Sequence, residues 1–193
     1  GADTFHCHKR SGHGLTSLRK AISHSCDVYF YRLGLELGAK KIAKYARAFG
    51  LGEKLHVGLN WEEEGFIPFS ETEKKQKRRN WMAGDVLPIS IGQGANLVTP
   101  IQLASLYSTI ANGGTIWRPT LLKKIISPLG EVLIEGQHQI LDKVEIVSKK
   151  NFLKMQSILE SVVEGTGRRA YIPGISLAGK TGSVQVVSLK KNR

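Results

Sequence analysis

A lysine, a hydroxyl and a glycine stand together at Lys180, Thr181 and Gly182, within a run (175–187) reading Ile-Ser-Leu-Ala-Gly-Lys-Thr-Gly-Ser-Val-Gln-Val-Val. The flanks Ser176–Ala178 and Ser183–Val187 are β-prone, which predicts a strand under the motif. A strand edge offers backbone N–H and C=O groups to an extended peptide. Lys180 and Thr181 add a cation and a hydroxyl suited to a carboxylate. A second polar cluster, Ser25-Cys26-Asp27, lies between two expected helices. Two readings of it stay open. Ser25 or Asp27 caps the helix that begins near Val28, or Ser25 relays a proton between a lysine and a leaving amine while Asp27 contacts that lysine or the substrate.

A third group, Asp3, His6, Cys7, His8 and His13, has side chains of zinc-binding type. Its spacing matches no standard zinc module, and polar surface residues explain it more simply. No metal ligand is assigned. Cys7 and Cys26 are too few for a disulfide scaffold, and the sequence leaves their pairing open.

The elements that must carry these residues read as helices first and strands late. A helix is expected from about Thr16 to His24, with Leu15, Leu18, Ala21 and Ile22 on one face. Val28 to Gly38 is apolar on most sides, which predicts a buried helix stopped by Gly38. Lys40 to Phe49 is amphipathic and ends at Gly50. Residues 51–84 look irregular, pinned by Trp61, Phe66, Phe69 and Trp81. The stretch 89–94 reads as a small-residue turn. Thr99 as N-cap and Pro100 at the first position open a further helix with core face Ile101, Leu103, Ala104, Leu106, Tyr107 and Ile110, closed by Asn112-Gly113-Gly114. Short strands follow at Thr115–Trp117, Leu121–Ile126 and Glu131–Ile134, then a helix over Ser148–Val163. The pattern predicts an α+β architecture, with a mostly helical lobe over about 1–113 and strands and a helix over about 114–193.

With 193 residues, 41% of them hydrophobic, the chain is long enough for one sizeable core or two small lobes and is not a disordered segment. No apolar run approaches the roughly 18 residues of a membrane helix, and no secretory signal opens it. Its abrupt start and stop suggest a piece of a longer protein. The net charge of +12, from 28 basic and 16 acidic residues, favours anionic partners. Much of it comes from Lys74, Lys75, Lys77, Arg78 and Arg79. No aromatic residue interleaves with that run and no nucleic-acid motif accompanies it, so it reads as a solvated face and not a nucleic-acid site.

The motifs also occur in a telling order. Ser25 to Tyr31 (Ser-Cys-Asp-Val-Tyr-Phe-Tyr), Ile91-Gly92-Gln93-Gly94 with Thr99-Pro100-Ile101-Gln102, Gly165-Thr166-Gly167, and Ala178 to Ser183 follow one another. Together they resemble the transpeptidase domain of the class B penicillin-binding proteins, nearest the penicillin-binding protein 2 branch, over almost the whole chain. The motif set of that chemistry is Ser-x-x-Lys, Ser-Asp-Asn and Lys-Thr-Gly. The resemblance implies the penicillin-binding serine transpeptidase fold, here with a helical lobe and part of a central antiparallel sheet. It implies a D,D-transpeptidase that cross-links peptidoglycan stem peptides through a serine acyl-enzyme and is acylated by β-lactams, with no cofactor. Ser25 would belong to the proton relay, with Asp27 in the third position of its motif, where many relatives have Asn. Lys180 would assist the relay. Thr181 and Ser183 would bind the substrate carboxylate, and Gly182 would let the peptide approach closely. The Ser183–Gln185 edge would pair with the substrate backbone and help form an oxyanion hole.

One Ser-x-x-Lys is present, Ser17-Leu18-Arg19-Lys20, but only eight positions before Ser25 (25 − 17), whereas the family places its nucleophile far upstream. The nucleophile is therefore expected before Gly1, with Ser17 as the alternative. The resemblance further implies a parent in the bacterial inner membrane. Its single-pass anchor would lie outside this stretch and its catalytic domain in the periplasm. It would work in cell-wall elongation beside a glycosyltransferase and a scaffold protein. Two rival readings remain: a catalytically silent module that binds a partner or ligand, and a carboxypeptidase or β-lactamase with the same motifs.

Overall fold

The computed structural model describes residues 4–69 and 83–182. Asp3, the basic run from Lys74 to Arg79, Trp81, Ser183 and Gln185 lie outside the described residues. Mixed helix and antiparallel strand is the architecture, as the residue pattern predicts. Two compact units interleave along the chain: one of Gly1–Ala39, Arg79–Ala95 and Lys154–Arg193, the other of Lys40–Arg78 and Asn96–Leu153.

The first unit carries the Ser25, Gly165–Gly167 and Lys180 motifs. Helix α1 (Leu18–Ser23) starts at Ser17, whose side chain accepts the Lys20 N–H, and buries Ala21, Ile22 and Ser23. Leu15, expected on that face, precedes the helix and is fully exposed. Helix α2 (Asp27–Leu37) ends at Gly38, which holds φ at 75° and donates its N–H to the Gly34 carbonyl at 2.8 Å. The expectation that α2 is buried is not met. Only Gly34 is buried, while Val28, Leu35 and Leu37 are exposed. The reason is that α2 packs mainly on one partner, a short helix the residue pattern does not reveal. That partner is α4 (Val86–Ser90), led in by a 3-10 turn at Ala83–Asp85. The expected turn at 89–94 thus begins as helix: Ile89 and Ser90 complete α4, and the chain turns only from Ile91. Gly34 permits the approach, since a Cβ there would sit 2.5 Å from the Ser90 Cβ.

In the second unit, α3 (Ala39–Ala48) precedes the irregular stretch, and α5 (Pro100–Ala111) is entered through a reciprocal capping box. Thr99 Oγ1 accepts the Gln102 N–H at 3.3 Å, and Gln102 Oε1 accepts the Thr99 N–H at 2.9 Å. The buried stripe of α5 is Gln102, Ser105 and Thr109, not the predicted apolar one; Ile101, Leu103 and Tyr107 are exposed. Polarity decides this. Gln102 Nε2 donates to the carbonyls of Glu53 at 2.7 Å and Glu64 at 2.9 Å, so a buried amide closes the hydrogen bonds of a loop that no ladder satisfies. Ile67, Pro68 and Leu55, not Trp61, are the buried side chains of that loop; Trp61 is 76% exposed.

Strand β1 (Thr115–Trp117) pairs antiparallel with β4 (Ile140–Lys143), and β2 (Lys124–Ile126) with β3 (Val132–Glu135). The mixed polarity of β4 hides it from a reading of residue pattern. Ile116, Val144 and Phe152 form the core here, flanked by Phe49 and Val147. Helix α6 (Lys149–Glu160) continues as a 3-10 turn at Ser161–Glu164, and a second 3-10 turn spans Arg168–Ala170. The strand expected under Lys180 shows no ladder over 176–182; the Gly179 N–H instead donates to the Leu159 carbonyl at 3.2 Å. The rest of that strand, from Ser183, is outside the described residues.

Candidate active site

The link between α1 and α2 must reverse the chain within three residues. It does so by holding Ser25 at φ 51°, an uncommon conformation for a residue with a Cβ. The Ser25 N–H reaches back to the Ile22 carbonyl at 3.3 Å and the Cys26 N–H to that of Ala21 at 2.9 Å. Cys26 takes the N-cap position without a side-chain bond, so neither Ser25 nor Asp27 caps α2. The Ser25 hydroxyl is thereby released from a structural duty.

It meets Lys180. Nζ of Lys180 lies 2.5 Å from Ser25 Oγ, across 155 positions of sequence. The same ammonium donates to the Thr181 carbonyl at 3.0 Å and to Thr181 Oγ1 at 3.3 Å. A third hydroxyl completes the group. Thr181 Oγ1 donates to Thr166 Oγ1 at 2.9 Å, and Thr166 Oγ1 donates to the Ser23 carbonyl at 3.2 Å. Ser25 Oγ stands 3.3 Å from Thr166 Oγ1 and 3.4 Å from Thr181 Oγ1.

Each hydroxyl has one proton to give. Thr181 gives its proton to Thr166, and Thr166 gives its own to a backbone carbonyl. These two hydroxyls thus donate away from Lys180, and the Ser25 proton can go to either threonine oxygen, to the lysine once neutral, or to a ligand. Burial pulls Lys180 below the ordinary ammonium range, and the Asp27 carboxylate pushes it back up. A lysine with easier access to its neutral form is what a proton relay needs.

Thr166 is a member of the group that the motifs do not single out. Gly165-Thr166-Gly167 matches the family order, but nothing in it assigns the hydroxyl a role. Gly165 explains the placement. A Cβ there would collide with the Ser23 carbonyl oxygen, the same oxygen that accepts the Thr166 N–H at 2.9 Å. Asp27 sits apart from the hydroxyl cluster. Its Oδ2 accepts the His8 N–H at 2.9 Å and lies 3.4 Å from His8 Nδ1, an ion pair when the ring is protonated. Asp27 therefore acts on Lys180 through its charge and not through a hydrogen bond among the described residues. Ser17 and Lys20 do not join the group: Ser17 caps α1, and Lys20 Nζ is turned to the carbonyls of His13 at 3.1 Å and Leu15 at 3.3 Å.

Cys26, between Ser25 and Asp27, packs with Cys7, and both thiols are free and buried. Cys7, His13 and Cys26 bring one ligand atom each within 4.8 Å of one another, and Cys7, His8 and Asp27 do likewise. Two thiols and an imidazole suit a soft divalent ion such as zinc. Burial lifts the Cys26 thiol above its usual range and draws His13 below the usual imidazole value. The sequence spacing does not show this set, because Cys26 lies 19 positions after Cys7 (26 − 7), beyond α1.

Comparison with known proteins decides the family. The model of the penicillin binding protein transpeptidase domain matches residues 1–193. The chain belongs to this family. It is 33% identical over 195 residues to the peptidoglycan D,D-transpeptidase MrdA of Acinetobacter baumannii, covering 96% of this chain and 27% of that protein. Penicillin-binding protein 2 of Helicobacter pylori superposes with a TM-score of 0.81 at 33% identity, over 96% of this chain and 34% of that one. The complex of that protein with MreC gives a TM-score of 0.77 at 32% identity, over 96% and 34% of the two chains. The chain thus spans about a quarter to a third of the transpeptidases it is similar to. In this family setting Ser25 and Lys180, matched by motif alone in the sequence, are two groups the fold brings into contact.

Proposed function

We propose that this chain supplies the proton-relay half of a D,D-transpeptidase centre that cross-links peptidoglycan stem peptides. The observation that carries the reading is the 2.5 Å contact between Lys180 Nζ and Ser25 Oγ, backed by the Thr181–Thr166 hydroxyl pair. In this reading a serine outside the Ser25–Lys180 group attacks the D-alanyl-D-alanine carbonyl. Neutral Lys180 takes the Ser25 proton as Ser25 takes the proton of the attacking serine, and the same path run in reverse then delivers a proton through Ser25 to the leaving amine. The acyl-enzyme is then resolved by an amine from a second stem, and β-lactams acylate the same serine. Among the described residues no serine–lysine pair at helical spacing joins the group, so this reading assigns the nucleophile to a part of the parent protein beyond these 193 residues.

Thr181 and Ser183 hold the substrate carboxylate, and the edge through Gln185 pairs with the peptide backbone. Among the described residues a Cβ on Gly182 would meet nothing within 4 Å, so that side of the chain is open. Asp27 tunes Lys180 by its charge. The parent works at the bacterial inner membrane with its catalytic domain in the periplasm. It acts in wall elongation beside a glycosyltransferase and a scaffold protein, in keeping with the MreC complex of the H. pylori relative.

The test uses the complete protein. Lys180→Ala should slow acylation by a fluorescent penicillin by at least about tenfold, since relay groups contribute about 10²–10⁴. Acylation at the wild-type rate would remove Lys180 from the centre. A complete protein that is never acylated would favour the catalytically silent module.

A further inference from the structure

Beside the relay, Thr166, Gly167, Arg168, Arg169, Ala170 and Thr181 line a cavity of about 690 Å³. Two of the six are arginines, on the 3-10 turn Arg168–Ala170 that follows the Gly165-Thr166-Gly167 segment. Both are exposed, and among the described residues neither guanidinium has a carboxylate partner or a hydrogen bond. Two adjacent unpaired cations repel one another unless an anion is met there. On the same wall Thr181 Oγ1 donates to Thr166 Oγ1 at 2.9 Å, so the two hydroxyls order each other.

The turn is also firmly placed. A Cβ on Gly167 would come within 3.0 Å of the Val162 carbonyl, and the Gly167 N–H donates to that carbonyl at 2.8 Å. Tight packing of this glycine fixes where the two arginines begin. Guanidinium groups grip a carboxylate through paired N–H donors, with a geometry a lone ammonium cannot offer.

We propose that Arg168 and Arg169 are specificity-determining residues that bind the terminal carboxylate of the stem peptide. This rests on the transpeptidase reading of the cleft. It adds a charge source that neither the serine motif nor the Lys-Thr-Gly motif contains. Lys180 is then spared the task of neutralising the ligand and stays available to Ser25.

The experiment compares two probes on the complete protein: a stem pentapeptide ending in D-alanyl-D-alanine, and the same peptide amidated at its C-terminus. Equilibrium affinity is measured for wild type, for Arg168→Ala/Arg169→Ala and for Arg168→Lys/Arg169→Lys. The wild type should favour the carboxylate form by about tenfold or more, a gap that narrows as salt is raised. The double alanine variant should lose most of that preference by weakening the carboxylate form alone, and the double lysine variant should recover part of it. An undiminished preference in the double alanine variant, or equal wild-type affinity for both peptides, overturns the arginine subsite and leaves the transpeptidase reading standing. If neither peptide binds the wild type, the cleft is no peptide site and both readings fall.

Discussion

Lys180 faces two opposing influences, burial lowering its pKa and the Asp27 charge raising it. The neutral amine that accepts the Ser25 proton grows in as pH rises through the lowered value. Asp27→Asn removes the raising influence, so the neutral form should be reached at lower pH. The ascending limb of the acylation pH–rate profile should therefore move to lower pH in that variant. A limb that moves up or stays in place would show that Asp27 does not act on Lys180. Asn nearly matches Asp in shape, so the exchange should fold. Thr166→Val should cost less than loss of Lys180, about three- to thirtyfold in acylation rate. It leaves Lys180 and Ser25 in contact but takes away the acceptor that orients Thr181. A wild-type rate in Thr166→Val would make that hydroxyl structural only.

Among the helices and turns, one glycine sets a packing distance. Gly34 lets α4 lie against α2, and Gly34→Ala would force the Ser90 side chain away. Overpacking of this kind costs about 1–3 kcal/mol, and the better helix propensity of alanine returns about 1 kcal/mol. A net loss should lower the melting temperature by a few degrees; an unchanged melting temperature would mean that α4 shifts freely. The same elements show what a sequence does and does not disclose. The end of α2 and the start of α5 are legible because Gly38 and the Thr99–Pro100 pair are local signals. The buried stripe of α5 is not, because Gln102 is buried by loop carbonyls supplied from Glu53 and Glu64 and not by apolar neighbours. Helix α4 is invisible in the pattern because five residues carry too little periodicity. In the site, Ser25 and Lys180 can be read from motif order. Thr166 cannot, since its role depends on Gly165 seating it under the Ser23 carbonyl. Cys7 and His13 are visible as donors, yet only the fold adds Cys26 to them.

Taken whole, these 193 residues carry the proposed relay, and among the described residues no serine–lysine pair at helical spacing joins it. Ser17 is occupied as a helix cap and Lys20 by two carbonyls. The 193-residue chain alone should therefore form no covalent adduct with fluorescent penicillin, and strong labelling abolished by Ser17→Ala would reverse that assignment. The sharpest test of the relay is a double-mutant cycle on acylation rate in the complete protein, with Ser25→Ala, Lys180→Ala and the pair. Groups that act as one unit lose their effect together. A working relay requires that the double variant be slowed little more than the worse single variant. Losses that simply multiply would mean that Ser25 and Lys180 act independently, and the relay would be refuted.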